Sequence, residues 1–276
     1  MRKILLSLVI AFGMQAGAQT DTVMYRHFNN GTIDTASIST IDSITFGYVN
    51  QTSGGCSGGL TNITYNGYTY DLVEIGGQCW FKENLQTTMY RDSTPINYPG
   101  TDYTAWQNNT TGAYAWYNND SSTYAPTYGA LYNWYAVDNS AGLCPAGWHV
   151  PSDSAWTVLE TYLVANGYSY QNGLYAKTIA DSVGWNSSTG TGHIGNTDYP
   201  SYRNKSGFSG LGSGYYVGNG NYLYLGEVTY WYCSSLLYST ANPHFRSLNY
   251  DKVNLAGTGG TSTNKETGFS VRCLRD

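Results

Sequence analysis

The stretch that decides the fold runs Leu143-Cys144-Pro145-Ala146-Gly147-Trp148-His149-Val150-Pro151-Ser152-Asp153-Ser154-Ala155-Trp156. It places a cysteine, a turn and two tryptophans around the start of the most regular helical pattern in the chain. Ser152 is a residue type that caps helices, and apolar residues then recur at three-to-four spacing as far as Gly167. The pattern therefore predicts a helix between Ser152 and Gly167.

Short β-strands dominate the prediction for the rest of the chain from Leu60 onward. Aromatic or β-branched runs alternate with Gly, Asn and Ser, as in residues 61–65, 68–75, 113–117 and 222–225. A second helix is predicted around residues 128–137, where apolar residues share one side. Residues 184–213 lack clear periodicity and are predicted to form long loops.

The composition bounds the class of protein. Of the 276 residues, 41% are apolar and only 11% are charged, with 28 Tyr and 33 Gly. An average soluble domain carries roughly 25% charged residues. The formal net charge of -5 and the pI near 5.2 argue against a nucleic-acid-binding protein, which would present a basic face. We therefore predict a globular protein that is neither disordered nor a coiled coil.

The first 18 residues have the three parts of a signal peptide. Arg2 and Lys3 supply positive charge, residues 4–12 are apolar, and Ala16-Gly17-Ala18 is a small-x-small cleavage site. The apolar run is far shorter than the ~20 residues that span a bilayer. We therefore predict cleavage before Gln19 and export to the cell surface, the periplasm or the extracellular space, with no transmembrane segment.

Residues 19–50 are predicted to form a separate β-hairpin segment. Residues 22–28 and 32–38 have strand patterns, and Asn29-Asn30-Gly31 between them favours a tight turn. An isolated hairpin is marginally stable in water, so this segment is expected to dock on something. Residues 51–59 are rich in Gly and Ser and are predicted to be a linker to the main domain.

Four motifs carry a resemblance to a known family. They are Ile75-Gly76-Gly77-Gln78-Cys79-Trp80-Phe81-Lys82-Glu83-Asn84-Leu85, Tyr128-Gly129-Ala130-Leu131-Tyr132-Asn133-Trp134, the stretch 143–156, and Gly268-Phe269-Ser270-Val271-Arg272-Cys273-Leu274. In this order they resemble the Fibrobacter succinogenes major paralogous domain, a family of exported bacterial domains, over about residues 60–276. Residues 39–46 also resemble a leader segment common in exported Bacteroidetes proteins.

The resemblance implies an α+β fold similar to that of C-type lectins and of relatives of the formylglycine-generating enzyme. Such a domain has small antiparallel sheets, a few helices and long loops. The chain has five cysteines, an odd number whose pairing the spacing leaves open. The resemblance implies that Cys144 pairs with Cys273 and Cys56 with Cys79. Cys233 departs from the family pattern, and we expect a buried free thiol, with an intermolecular disulfide as the alternative.

Several residues inside the motifs are expected to be structural. Trp80, Trp148 and Trp156 are most simply core residues, because large aromatic side chains dominate core packing. Glu83 and Arg272 also lie within apolar motifs, where an unpaired charge would be costly. We therefore hypothesise that these two charges pair with each other and anchor the fold.

No constellation of catalytic residues stands out. Enzyme relatives of this fold use a reactive cysteine pair near the C-terminus or a histidine-bound iron, and neither pattern is visible. A calcium-dependent lectin site would need clustered oxygen ligands, and only Asn242-Pro243 faintly matches. We therefore predict a protein that is not an enzyme and has no cofactor; calcium binding is left open but is not predicted.

Aromatic and polar residues toward the C-terminal side form the predicted ligand-binding face, because related folds display a variable binding surface there. These residues are Tyr230, Trp231, Tyr238, His244, Arg246 and Tyr250. Tyrosine buries contact area with few rotatable bonds, as in antibody loops. The alternative is that these residues alternate along strands of which one face is solvated.

The sequence thus predicts an exported, non-enzymatic binding module at the bacterial cell surface that recognises a glycan or a protein. One alternative is a structural subunit of a surface assembly, which would use the hairpin or Cys233 for its contacts. A less supported alternative is an enzyme related to formylglycine-generating enzymes. All three stay open, because a fold alone does not assign a function.

Overall fold

The computed structural model describes residue 56 and residues 59–171, 173–236, 242–257 and 263–276, together with three short strands within residues 4–37. The chain divides into two compact units, Met1–Asn50 and Gln51–Asp276. The predicted turn at 29–31 and nearly all of the predicted linker lie outside the described residues.

The first unit contains a three-stranded antiparallel sheet in the order β1-β2-β3. The strands are β1 (Ile4–Leu5), β2 (Val23–Phe28) and β3 (Ile33–Ser37). Val23 pairs with Ser37 and His27 with Ile33, so β2 and β3 have the antiparallel pairing of the predicted hairpin. β1 lies within the predicted signal peptide, so cleavage before Gln19 would leave the β2–β3 pair alone.

Two five-stranded sheets form most of the second unit. The first has the strands β4 (Asn62–Tyr65), β5 (Tyr68–Ile75), β6 (Gln78–Phe81), β15 (Leu274–Arg275) and β9 (Trp148–His149), in that order. All of its pairs are antiparallel. Leu274 pairs with Trp80 on one side and with His149 on the other. The last strand therefore joins two of the sequence motifs.

The second sheet carries the C-terminal aromatic residues. Its strands are β11 (Tyr222–Leu225), β10 (Ser213–Tyr216), β12 (Val228–Leu236), β13 (Pro243–Asn249) and β14 (Ala256–Gly257), in that order. The pairs are antiparallel except for β10 with β12, which run parallel at Gly214 and Thr229. A two-stranded sheet pairs β7 (Tyr114–Ala115) with β8 (Leu131–Tyr132). The unit thus mixes mainly antiparallel sheets with few helices.

The described part of this unit has five α-helices, and the longest is the predicted one. They are α1 (Tyr103–Gln107), α2 (Ser121–Tyr128), α3 (Trp134–Val137), α4 (Asp153–Ala165) and α5 (Ala176–Ile179). The hydroxyl of Ser152 accepts a hydrogen bond from the Ala155 amide at 3.2 Å, as expected for a cap. Trp156, Leu159 and Leu163 form the buried side of α4.

The helix predicted over residues 128–137 is wrong. Gly129 has φ +74 and ends α2, and the chain then forms β8 before the short α3. A Cβ atom at this position would lie 2.7 Å from the Asn84 Cβ and 2.9 Å from the Leu85 carbonyl oxygen. Only glycine fits so close to the neighbouring chain with a positive φ, and a continuous helix would lose that packing.

Two disulfides join the motifs of the main domain. Cys56 pairs with Cys79, and Cys144 pairs with Cys273, which are the two pairings that the resemblance implied. Cys233 is a buried free thiol, as expected. Burial raises the pKa of Cys233, so the thiol stays neutral. Because the side chain is buried, it is also not exposed for an intermolecular disulfide.

The long segment predicted as loops has little regular structure. Between residues 184 and 213 the structure contains one short 3-10 turn, Pro200–Tyr202, before β10 begins. The buried ammonium of Lys177 holds this segment, since it donates to the carbonyl oxygens of Asn196 (2.7 Å) and Asp198 (2.5 Å) and also pairs with the Asp198 carboxylate. A charge paired in this way anchors the loop, in addition to the buried Ile194 and Phe208 side chains of the same segment.

Arg272 lies at the centre of the main domain and is only 1% exposed. Its guanidinium donates to the carbonyl oxygens of Phe81 (2.8 Å), Phe208 (2.7 Å) and Ser209 (3.0 Å), and to Asn84 Oδ1 (2.9 Å). All four acceptors are neutral. The fork of donors on the guanidinium therefore satisfies a carbonyl at the end of β6 and two carbonyls of the 208–209 loop.

The hypothesised pairing of Glu83 with Arg272 is wrong. The Glu83 carboxylate accepts instead from the backbone amide of Asp71 at 2.8 Å. Burial lowers the pKa of Arg272 to about 9, and the charge of Glu83 acts in the opposite direction without direct contact. Burial also raises the pKa of Glu83. With a pKa of about 9, the guanidinium stays protonated at neutral pH. Its donors are satisfied by neutral acceptors.

Asn84 completes the buried network. Its Oδ1 accepts from Arg272 Nε and from Trp231 Nε1, both at 2.9 Å. Its Nδ2 donates to the Tyr128 carbonyl at 2.9 Å and to the Ser270 hydroxyl at 3.3 Å. An amide can accept two and donate two hydrogen bonds. Asn84 uses all four, and so links four segments of the chain.

Aromatic rings surround this network. Trp80 packs on Trp156 with 4.8 Å between ring centroids, and Trp156 stacks on Trp231 at 5.6 Å. The guanidinium of Arg272 lies 4.5 Å from the centroid of Phe208, within cation–π range. Trp148, the third tryptophan expected in the core, is also buried and packs against Phe81.

Buried tyrosine hydroxyls are the second polar feature of the core. The hydroxyl of Tyr132 donates to the Thr87 carbonyl and that of Tyr232 to the Thr267 carbonyl, both at 2.7 Å. Burial raises the pKa of Tyr90 to about 12 and raises the pKa values of Tyr132 and Tyr232 as well. These phenols therefore stay neutral in the folded protein at about pH 10, where an ordinary tyrosine begins to ionise.

We predict that Arg272→Met destabilises the protein by at least about 3 kcal/mol, because several buried acceptors lose their donor and each costs about 1–3 kcal/mol. The stability of Arg272→Lys should lie between that of the wild type and that of Arg272→Met, because one ammonium replaces only some of the guanidinium donors. Urea unfolding measures these differences. The control is Lys252→Met, whose side chain is 63% exposed and should change stability by under about 0.5 kcal/mol. Wild-type stability in Arg272→Met would contradict the assigned role.

We also predict that stability falls steeply above about pH 10. A phenol with a raised folded pKa stabilises the folded state fully below its unfolded pKa of about 10. That contribution is lost as the pH rises through the folded pKa, since only the unfolded chain ionises. Urea unfolding at about pH 8 to 11, with phenolate absorbance followed in parallel, checks this. Ionisation of all tyrosines at about pH 10 without unfolding would contradict it.

Candidate functional site

The predicted ligand-binding residues do not form one surface. Trp231 is 0% exposed and packs between Trp156 and Phe208, with its indole donating to Asn84. Neighbouring residues of a strand point to opposite faces. Tyr230 therefore lies on the other face of β12, and Trp231 is not available to a ligand in this structure.

Arg246 and His244 are also committed inside the protein. The guanidinium of Arg246 bonds the carboxylates of Asp153 at 2.5 Å and Glu160 at 2.8 Å, and so ties β13 to α4. His244 Nδ1 lies 3.2 Å from the same Asp153 carboxylate. Burial acts to lower the pKa of Arg246, but hydrogen bonds to Asp153 and Glu160 outweigh it and raise the pKa. This pattern is that of a structural ion pair.

The remaining two predicted residues are Tyr238 and Tyr250. Tyr238 lies outside the described residues. Tyr250 is half-buried, and its backbone bonds Glu227 and Gly195 at 2.8 and 2.7 Å. Among the five predicted ligand-binding residues that are described, Tyr230 belongs to an aromatic group with an exposed ring.

Tyr230 belongs to what we term the Tyr230 cluster, which comprises Tyr215, Tyr224, Tyr230 and Phe269. Tyr230 stacks on Phe269 at 4.6 Å and meets Tyr215 edge to face at 5.2 Å. Tyr215 stacks in turn on Tyr224 at 6.0 Å. Tyr224 is 52% exposed and has φ +60, a conformation that bulky residues rarely adopt. The cluster thus ends in one exposed ring.

A second group, which we term the Asn119 cluster, comprises Tyr98, Tyr114, Asn119 and Tyr222. The Tyr222 hydroxyl donates to Asn119 Oδ1 at 3.0 Å, and the Tyr98 hydroxyl donates to the same oxygen at a longer 3.5 Å. Tyr98 is 42% exposed and stacks on Tyr114 at 5.1 Å. An exposed ring therefore lies beside an amide whose oxygen is already bonded.

Local structure explains how three distant segments meet in the Asn119 cluster. Tyr98 is held beside β7 because the Tyr114 amide donates to the Asn97 carbonyl at 3.0 Å. Tyr222 is positioned by β11, where it pairs with Tyr216 and stacks on it at 4.4 Å. The two tyrosine hydroxyls thereby converge on one point of the surface.

Asn119 is positioned by an unusual turn. Asn118 and Asn119 have φ values of +53 and +56, so two consecutive residues are left-handed. Asparagine tolerates this conformation better than other side chains, because its short polar group bonds locally. Residues held in sparsely populated conformations recur at functional sites, so this turn makes Asn119 a candidate functional residue.

The two clusters lie on opposite faces of the β10–β11 hairpin. Tyr215 and Tyr216 are neighbours in β10 and therefore point to opposite sides. Tyr216 packs on Tyr222, while Tyr215 packs on Tyr224. The hairpin thus presents the Tyr230 cluster on one side and the Asn119 cluster, which includes an amide, on the other.

The acidic residues next to the Asn119 cluster are already engaged. Asp102 accepts from the Ala105 amide at 2.9 Å and caps α1. Asp120 accepts from the Thr123 amide at 3.1 Å and from the Ser122 hydroxyl at 2.7 Å, and caps α2. Hydrogen bonds from Thr123 and Ser122 hold the pKa of Asp120 below its usual value. Both carboxylates serve helix capping.

The described residues offer no metal site or membrane-spanning helix. They contain no group of three or more His, Cys, Asp and Glu side chains that could hold a metal ion. Over the same residues, no helix combines the length and apolar character needed to cross a membrane.

Most residues of these clusters were not predicted. Tyr222 lies 103 residues after Asn119, whereas Tyr98, Tyr114 and Asn119 come from one segment of the chain. One signal in the sequence was available, namely the density of Tyr and Asn in residues 98–133. That signal marks the segment, but the convergence of the side chains depends on the sheet pairing.

Comparison with known proteins places the chain in a family. The family model described as Fibrobacter succinogenes major domain matches residues 73–275. The same comparisons find no match among curated proteins or solved structures. The matched range includes the buried Asn84–Arg272 network and both aromatic clusters. Because the match spans well over half of its residues, the chain belongs to the Fibrobacter succinogenes major domain family.

Proposed function

We propose that this chain is an exported, non-enzymatic binding module with a C-type-lectin-like fold, displayed at the bacterial cell surface, and that it binds a glycan through the Asn119 cluster. The observation that carries the proposal is the exposed ring of Tyr98 beside the hydrogen-bonded amide of Asn119. The signal-peptide pattern and the two disulfides support export, because disulfides persist in oxidising compartments.

The aromatic part of the site suits the face of a sugar ring. Aromatic rings carry negative charge on their faces, so the C–H groups of a saccharide pack favourably against them. Tyr98 is stacked on Tyr114 with 25° between the ring planes, which holds the exposed ring in place. A ring that is ordered before binding loses little conformational entropy when the ligand arrives.

The polar part of the site supplies direction. Ligand sites combine apolar surfaces with a few well-placed polar groups, and these fix the orientation of the ligand. The Asn119 amide is held by Tyr222 at 3.0 Å, and the exposed Asn118 lies next to it. The site therefore offers amide groups at the edge of an aromatic surface, where the hydroxyls of a stacked sugar would lie.

The prediction is that Tyr98→Ala weakens glycan binding about tenfold, because losing one stacked ring costs about 1–2 kcal/mol. A glycan array identifies the ligand, and isothermal titration calorimetry then compares the purified variants. The matched control is Tyr224→Ala, which removes an equally exposed ring on the other face of the β10–β11 hairpin. Its affinity should equal that of the wild type.

Two results would contradict the proposal. Loss of binding in Tyr224→Ala with retention in Tyr98→Ala would move the site to the Tyr230 cluster. Absence of saturable binding to every glycan on the array would favour a protein ligand instead. Thermal unfolding of each variant within a few degrees of wild type confirms that the fold is intact.

A further inference from the structure

We infer that the Asn119 cluster selects uncharged over anionic saccharides and that Asn119 is the residue that donates to them. The inference rests on the proposed glycan-binding function and names the class of glycan. It is carried by three features of the cluster: the charges around it, the use of its carboxylates, and the hydrogen bonds of the Asn119 amide.

The segments that build the cluster contain no cationic side chain. No Lys or Arg occurs between Arg91 and Lys177, or between Lys205 and Arg246. Every residue of the Asn119 cluster comes from these two segments. Outside these two segments, the ammonium of Lys265 lies 6.0 Å from the centroid of the Tyr135 ring, which is not part of the cluster. A uronate or sulfate group stacked on the tyrosines would therefore lose hydration without gaining a counterion.

The acidic residues next to the cluster add to this bias against anions. Asp102 and Asp120, its neighbouring carboxylates, each cap a helix through one oxygen. These hydrogen bonds leave the negative charge of each carboxylate in place, and like charges repel. An anionic sugar is therefore disfavoured next to the cluster, whereas a neutral sugar is not.

The Asn119 amide is the group that can recognise a neutral sugar. Its oxygen accepts from the hydroxyls of Tyr222 and Tyr98, and its Nδ2 has no hydrogen-bond partner in the described part of the protein. A primary amide carries two N–H donors. The tyrosines thus fix the oxygen and leave the donors for a sugar hydroxyl or ring oxygen.

The test uses polysaccharide pairs that share a backbone and differ in whether they carry anionic groups. Affinity electrophoresis of the purified protein compares hydroxyethyl cellulose with carboxymethyl cellulose, dextran with dextran sulfate, and methyl-esterified with de-esterified pectin. We expect retardation by at least one neutral member and at least tenfold weaker binding to its charged counterpart. Equal or tighter binding to a charged member would overturn the inference while leaving glycan binding intact. Binding to no member would overturn the proposed function together with the inference.

The variant test addresses Asn119 itself. Asn119→Asp keeps an oxygen for both tyrosine hydroxyls but removes both N–H donors, so affinity for the neutral polysaccharide should fall at least tenfold. The control Asn62→Asp makes the same chemical change at an exposed position in β4 and should leave affinity unchanged. Thermal unfolding of both variants shows whether the fold survives. Wild-type affinity in a folded Asn119→Asp protein would overturn the role assigned to this residue.

Discussion

The guanidinium of Arg272 is a full positive charge with no carboxylate in contact, placed among aromatic rings in the centre of the domain. It is tolerated there because carbonyl oxygens of Phe81, Phe208 and Ser209 and the amide of Asn84 occupy its donors. An unpaired buried charge would otherwise cost several kcal/mol. The surrounding loops must therefore take up the one arrangement that points their carbonyls inward.

That constraint also determines which surface is left for binding. Asn84 bonds the indole of Trp231, so one face of β12 is drawn into the core against α4. The opposite face keeps Tyr230 and meets Tyr215 of the next strand. The face of β12 that carries Tyr230 is thus left for the Tyr230 cluster, because the buried network holds the opposite face of this strand.

Local signals in the sequence predicted the parts of the fold that depend on neighbouring residues. The cap at Ser152 and the apolar spacing after it were sufficient to predict α4. The helix predicted at 128–137 failed because the constraint on Gly129 comes from Asn84 and Leu85, far away in the chain. The predicted ligand face failed for a related reason, since alternation predicts two faces but packing decides which one Trp231 joins. The Asn119 cluster likewise depends on contacts across more than a hundred residues.

The position of β15 has a consequence for the order in which the chain matures. Leu274 fills the gap between β6 and β9, and Arg272 occupies the core only two residues earlier. A growing chain that has reached Ser270 lacks the strand between β6 and β9, the charge at the centre of the core and a partner for Cys144. Completion of the domain must therefore wait until this segment is synthesised.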